Sequence, residues 1–514
     1  MHPVLLLDEV LRIVLDNIDS DSNRSSALKT FYCIATVCRA WKDPALDYLW
    51  ASLASMDPLL ALLPNHDASH RPVPSDDLSQ FHAYASRVRN VGQNSCSLPK
   101  LKRCPCIVDG TSSASALLPS LRSVRLVLKD AASQQLPLTL YLSRNLQSIS
   151  VDVGFRSSKG TLGLHEALRT YLDAVARIAG NLRHLRLRGQ LSDRVINSIT
   201  SMRDLRSLYL CGGSHLMPRT LASIAGFPNL EDLRVQLDCI NIADLAETLV
   251  SASSNTTLFP SLRNLRVRAS PAAAEAFFRH LPAGKLRTLY LESDLKPRSV
   301  DTWTPALAVL AERTHATLAD LSLEVLTSFC EAFDHAAFPP KLHFTLSTLA
   351  PLARLVHLRR FILDASVPPD LGDSDLASVA CWWPEIEELS LWSRPVEVFD
   401  FPAYFTMLPR ATPASLAMLA AHCPRLCLLG LPMDVAVLPP PAHPPQAVPS
   451  HTTLARLTIG CVRVGKMIDP ASVAECIYRA FPALEEIEFD CGDDTSWTDV
   501  LECYSALATR TLPV

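Results

Sequence analysis

Leu182-Arg183-His184-Leu185-Arg186-Leu187 and, 23 residues further on, Leu205-Arg206-Ser207-Leu208-Tyr209-Leu210 share one pattern, with apolar residues at the first, fourth and sixth positions. The alternation at the end of each stretch is that of a strand with one buried face. With apolar swaps the pattern recurs thirteen times, starting at Leu121, Leu146, Leu182, Leu205, Leu230, Leu262, Leu286, Leu318, Leu358, Ile386, Leu426, Leu454 and Leu484. Six copies add an apolar residue or Cys and a Pro in front: Leu118-Pro119, Phe227-Pro228, Phe259-Pro260, Trp383-Pro384, Cys423-Pro424 and Phe481-Pro482. A proline there stops whatever helix precedes it and launches an extended segment.

Between copies the apolar period changes to three and four, which marks helices. Ile196, Ile199 and Met202 make one such face; Leu221, Ile224 and Phe227 another; Leu416, Leu419 and Cys423 a third; Val473, Cys476, Ile477 and Phe481 a fourth. Ser270-Pro271, Thr304-Pro305, Thr412-Pro413 and Asp469-Pro470 each pair a capping side chain with a proline suited to the first helical turn. No single strand–helix unit can bury its own apolar face, so the repeat specifies a stacked α/β solenoid. Parallel strands are expected on its concave face and helices outside. A doubly wound α/β domain also alternates strand and helix, but it lacks a reason for thirteen copies of one signature and would want a Gly-rich first turn. The motif resembles the leucine-rich repeat, and Cys423-Pro424-Arg425-Leu426 resembles its cysteine-containing variety.

The N-terminus reads differently. Val4, Leu7, Leu11, Val14 and Ile18 form one helical face, and Leu28, Phe31, Ile34 or Ala35, and Cys38 a second. Asp43-Pro44-Ala45 is expected to open a third helix. Leu6-Leu7-Asp8-Glu9-Val10-Leu11, Val37-Cys38-Arg39-Ala40-Trp41 and Leu49-Trp50 together resemble the F-box, with Leu7 where that family usually has Pro. The resemblance covers about a tenth of the chain. It implies that Leu6, Leu7, Val10, Leu11, Val14, Val37, Cys38, Trp41, Leu49 and Trp50 contact a Skp-family adaptor, and through it a cullin-RING ligase. Read without the resemblance, these helices are a cap on the domain that follows.

The expected organisation is an F-box-like helical domain over 1–63, a linker and junction helix over 64–115, and the solenoid over 116–514. The solenoid carries a proline-rich insertion at 438–450 and a terminal capping helix built on Trp497, Leu501, Tyr504 and Leu507.

Composition narrows the function. Of 514 residues 48% are hydrophobic, so a large core is available, and the net charge of −4 suggests neither a nucleic-acid nor an acidic-lipid binder. Fifteen scattered cysteines read as reduced thiols, which fits the cytoplasm or nucleus. Val4 to Leu7 is too short an apolar start for a secretory leader, and no apolar run approaches the ~18 residues of a membrane span. Glycine is scarce at 16, and phosphate-loop, dinucleotide, nucleophile-elbow and zincin motifs are missing. Cys96, Cys104 and Cys106, with His66 and His70 nearby, lack the paired spacing of a zinc site. Neither an enzymatic activity, a cofactor nor a metal is expected, although an active site assembled from distant residues would leave no motif.

The residues between the buried ones should face the concave surface. Arg125, His184, Arg186, Arg188, Tyr209, Arg234, Arg266, Arg268 and Tyr290 come first, then Glu292, Asp320, Glu324, Asp364, Glu388, Trp392, Glu486, Glu488 and Asp490. Of these, Arg186, Arg188, Tyr209, Arg234, Arg266, Arg268, Tyr290 and Trp392 are the candidate target-binding set, and arginine suits an acidic or phosphorylated segment because it binds carboxylate and phosphate bidentately. Taken with the resemblance, this implies a substrate receptor of an SCF-type ubiquitin ligase. The alternative is a protein-binding repeat scaffold with no ligase role.

Overall fold

The computed structural model describes residues 7–20, 24–63, 79–93, 117–129, 137–155, 161–212, 216–254, 256–295, 299–327, 340–392, 409–438, 453–460, 469–490 and 496–510. Leu6, most of the 64–115 junction, the 439–450 part of the proline-rich insertion, and Cys96, Cys104, Cys106, His66 and His70 lie outside them. The chain divides into two compact units, 1–230 and 231–514.

The first unit opens with three helices, α1 (Asp8–Asp19), α2 (Arg24–Val37) and α3 (Arg39–Ala51). Leu15, Ala27 and Phe31 form their buried centre, with Ile18, Leu28, Ile34, Tyr48 and Leu49 packed around it. The third helix begins earlier than the Asp43-Pro44 signal indicates. Cys38 is extended at its N-terminus, and the Lys42 amide closes the first turn on the Cys38 carbonyl at 3.1 Å. Pro44 therefore sits inside the helix, where it forfeits one main-chain bond, and it is buried there with Ala45.

The helix α3 runs directly into β1 (Ser52–Leu53), which pairs in parallel with β2 (Asn90–Gln93). β3 (Ser123–Val127), β4 (Ser148–Gly154), β5 (His184–Gly189) and β6 (Ser207–Gly212) follow, each parallel to the one before. The ladder thus begins at Ser52, ahead of the boundary at 116 drawn from the motif. Its two early strands are degenerate copies: Val91 aligns with Val124, so Val88-x-x-Val91 and Trp50-x-x-Leu53 hold the places of Leu121-x-x-Val124. Arg87 ties this start to the bundle, bonding Asp43 at 2.7 Å and also Asp47.

The second unit has β7 (Asp232–Gln236), β8 (Asn264–Arg268), β9 (Thr288–Leu295), β10 (Asp320–Thr327), β11 (Arg360–Ala365), β12 (Glu388–Ser390), β13 (Leu428–Pro432), β14 (Arg456–Gly460) and β15 (Glu486–Asp490). Again each strand pairs in parallel with the next in chain order. Helices such as Ile242–Ser253, Pro271–Phe278 and Trp303–Thr314 lie between strands in sequence and pack on one another in order. This is a leucine-rich-repeat-type solenoid.

All thirteen motif copies coincide with strands β3 to β15. In the first twelve the three apolar positions are buried, as in Leu182, Leu185 and Leu187. Each fully buried leucine contributes about 1.5–3 kcal/mol, so these rows are the main adhesive of the stack. The last copy, Leu484, Ile487 and Phe489, is only half-buried. The helix Ser496–Arg510 covers part of it. Trp497 stacks on Phe489 at 3.9 Å, and Tyr504 donates to the Phe481 carbonyl at 2.7 Å and accepts from the Leu484 amide at 3.1 Å.

Three of the four expected caps form. Ser270 accepts from Ala273, Asp469 from Ala471, and Thr412 from the Ala414 amide. At Thr304-Pro305 the helix already starts at Trp303, after a tight turn capped by Ser299, and Pro305 falls within its first turn, where no N–H partner is needed. Of the two cysteines read as core thiols, Cys423 is buried, with burial pushing its pKa up to about 12, whereas Cys427 is exposed.

Candidate functional site

Two surfaces hold the residues singled out from sequence. The first is the outside of the α1–α3 bundle. Leu11 is 2% exposed and belongs to the core. Val10, Cys38, Trp41, Leu49 and Trp50 are half-buried, and Trp50 packs on the Tyr84 ring at 4.6 Å where the bundle meets the ladder. Leu7, Val14 and Val37 are exposed, Val37 at 58%. Ile13 and Tyr32, exposed at 61% and 63%, join them. Neither was legible as a surface candidate, because Ile13 falls off the periodic face of α1 and Tyr32 follows the core residue Phe31. Val14 and Asn17 of α1, with Ser26 and Thr30 of α2, line a shallow groove of about 660 Å³.

The bundle also holds a charged clasp. Arg12 bonds Asp8 at 2.7 Å and reaches Asp47 at 3.5 Å. Tyr48 donates to Asp16 at 2.5 Å, and burial, then that bond, push the phenol up to about 12.

The second surface is the open face of the strands. Arg186 and Arg188 of β5 and Tyr209 of β6 occupy it in the first unit; Arg234, Arg266, Arg268 and Tyr290 occupy it in the second. Register sets their contacts. Arg186 faces Tyr209 and lies 4.4 Å from its ring centroid; Arg266 faces Tyr290 at 3.8 Å. Arg188 bonds Asp152 at 3.0 Å. Arg268 bonds Asp238 at 2.6 Å and Glu292 at 3.2 Å, and Arg266 approaches Glu292 at 3.6 Å. On the acidic side, Glu388 pairs with Arg360 and Glu486 with Arg456, both at 2.6 Å. Charge on this face is therefore largely satisfied between neighbouring strands. A list of outward residues alone shows a basic half and an acidic half because it leaves out Asp152, Asp238, Arg360 and Arg456.

Glu324 has acidic residues on both neighbouring strands. It stands in register between Glu292 and Asp364. Burial, then the neighbouring Asp364 carboxylate, raise its pKa against the pull of Arg266, Arg268 and Arg234. Trp392 is 7% exposed. Its indole lies against Gly460, where a β-carbon would come within 2.1 Å of the ring, so the side chain fills the sheet surface rather than projecting from it.

No family model matches the chain, and no curated protein matches it. Among solved structures it is similar to the internalin inlF from Listeria monocytogenes, with 13% identity and a TM-score of 0.29 over 58% of this chain and 76% of that one. It is similar to the Rad7–Elc1 complex in yeast, with 12% identity and a TM-score of 0.37 over 95% of this chain and 88% of that one. The leucine-rich-repeat-containing protein LegL7 from Legionella pneumophila gives 13% identity and a TM-score of 0.30 over 57% of this chain and 86% of that one. The fold assignment rests on the ladder itself. Among the described residues no helix is long and apolar enough to cross a membrane, and no cluster of His, Cys, Asp and Glu suits a metal ion.

Proposed function

We propose that the chain is the substrate-recognition subunit of an SCF-type E3 ubiquitin ligase. Its N-terminal bundle binds a Skp-family adaptor, which connects to a cullin-RING assembly, and its repeats hold the target protein. The chain then makes and breaks no bonds. It raises the effective concentration of target lysines near a charged ubiquitin-conjugating enzyme.

The observation that carries this reading is the apolar exterior of the bundle. Leu7, Ile13 and Val14 at α1 and Tyr32 and Val37 on α2 stay exposed in a three-helix bundle that has a small core of its own. Large apolar side chains concentrated on so small a unit favour a protein partner over a solvated cap. The continuity of α3 with β1, and the clamp of Arg87 on Asp43 and Asp47, support the mechanical side of the reading. A rigid join fixes the distance from adaptor to the first repeats, as ubiquitin transfer requires.

The test is capture of a purified Skp-family adaptor. A triple change of Val14, Tyr32 and Val37 to Asp should abolish capture while leaving the far-ultraviolet circular dichroism unchanged. Leu11 is unsuitable for this purpose, since its burial makes a polar replacement unfold the bundle. If wild type captures adaptor no better than the triple variant, the chain is a protein-binding repeat scaffold without a ligase role.

A further inference from the structure

Where the strands of the first unit begin, the repeat lays down two further rows of side chains. One residue ahead of the first apolar position stand Ser120, Asn145 and Asn181; one residue behind it stand Arg89, Arg122 and Gln147. Main-chain bonds lock the second row, from the Arg122 amide to the Arg89 carbonyl at 2.7 Å and from Gln147 to Arg122 at 2.8 Å. These six residues line one polar pocket of about 320 Å³.

Its chemistry differs from that of the strand face. Arg188, Arg266 and Arg268 each lie against a carboxylate. Among the described residues neither Arg89 nor Arg122 forms an ion pair, and no carboxylate lines the pocket. Two guanidiniums from adjacent strands, whose backbones run about 4.8 Å apart, can close on a single dianion from two sides. The amides add directionality. Asn145 Nδ2 donates to the Pro119 carbonyl at 2.8 Å, which leaves Oδ1 as an acceptor. The dianion of a phosphorylated side chain has no P–OH to offer that acceptor, but the main-chain N–H beside it can donate to it.

We propose that this pocket binds a phosphorylated serine or threonine of a partner protein, Arg89 and Arg122 holding the phosphate and Asn145 the adjoining main chain. Only the identity of that partner as a ubiquitylation target rests on the receptor reading. The strand-face arginines Arg188, Arg266 and Arg268, engaged with their own carboxylates, are secondary to it.

The experiment uses the immobilised full chain and three degenerate peptide libraries with a central phosphoserine, serine or aspartate. Wild type should retain the phosphoserine library at least about tenfold over the serine library, as loss of paired charge-assisted bonds predicts. Inorganic phosphate should compete, and added salt should weaken retention. Arg89→Ala with Arg122→Ala should remove the preference. The Arg89→Lys, Arg122→Lys variant, which keeps charge but not the bidentate fork, should keep part of it and guards against misfolding as the cause. Arg169→Ala, on the helix Thr161–Ile178 and away from both candidate surfaces, should change nothing. Retention unchanged in the double alanine variant, aspartate held as well as phosphoserine, or phosphate bound with no library retained would each overturn the proposal. Adaptor capture is read on the same preparations. Adaptor bound with no phosphopeptide preference overturns the pocket and spares the receptor reading; phosphopeptide bound without adaptor supports the pocket and removes only the receptor reading.

Discussion

Arg188 Nη1 lies 3.0 Å from Asp152 Oδ2, straight across the step from β5 to β4, and Lys129 Nζ reaches the same oxygen at 3.1 Å. The other carboxylate oxygen accepts the Gly154 amide at 2.9 Å, at the point where the ladder register shifts and Gly154 takes a positive φ of 74°. One aspartate thus joins three strands and fixes a bulge. Burial alone would raise its pKa, but the Gly154 amide, Lys129 and Arg188 together hold it below the ordinary 3.8.

That lowering sets a pH dependence. A carboxyl whose folded pKa lies below its unfolded value stabilises the fold above the unfolded value, and the contribution disappears as pH falls through the folded one. Asp152→Asn should therefore cost about 1 kcal/mol of local stability near neutral pH, given partly exposed partners. The gap to wild type should close below about pH 4. Hydrogen exchange of the β4 and β5 amides measures it, since damage in a solenoid stays near its site. Equal exchange in the two proteins at pH 7 would show the bridge contributes nothing.

Glu324 carries the opposite sign. Its folded pKa is raised above 4.5, by burial first and then by Asp364, so its charged form costs stability at neutral pH. The cost is relieved as pH falls through the raised folded value towards the unfolded one. Glu324→Gln should raise the thermal midpoint at pH 7.5, and the advantage should shrink steadily towards pH 4.5. A lower midpoint for the glutamine variant at pH 7.5 would mean the carboxylate makes a net favourable contact with Arg266 and Arg268 instead.

Much of this fold could be read in the chain because burial and spacing are coupled in every repeat. Leu182, Leu185 and Leu187 are buried for the reason that makes them visible in sequence. β1 and β2 were not legible, since Trp50 and Val88 replace the leading leucine and only pairing with β3 identifies their place. Site residues were legible in position but not in state. Period two correctly puts Arg266 and Arg268 off the core, yet it does not say that Glu292 and Asp238 neutralise them. Arg89 and Arg122 are not marked by the pattern, because they sit beside the strand-forming residues, where the alternation carries no information.

Trp392 and Gly460 supply a packing test. The indole occupies the space above Gly460, so Gly460→Ala must drive a β-carbon into the ring. Overpacking of this kind costs about 1–3 kcal/mol. Trp392→Leu should cost stability alone by uncovering the sheet, but should largely suppress the alanine defect when the two are combined. A double-mutant cycle on thermal midpoints checks this; strictly additive effects would show that the ring and the glycine do not touch.

The bundle separates stability from recognition through two neighbouring residues. Phe31 is fully buried at the centre of α1–α3, while Tyr32 beside it is 63% exposed. Phe31→Ala leaves a cavity worth about 3–5 kcal/mol, which is comparable to what a unit of this size can supply from its own core. It should melt α1 and α2, and hydrogen exchange should rise there while β7 to β15, in the other unit, keep their protection. Tyr32→Asp should leave exchange unchanged throughout. If adaptor capture is the bundle's task, both variants should lose it, the first by losing the helices and the second with the helices intact. Loss in Phe31→Ala alone would place the contact away from Tyr32, on the α1 side around Ile13 and Val14. Capture that survives Phe31→Ala would mean the folded bundle is not the binding surface at all.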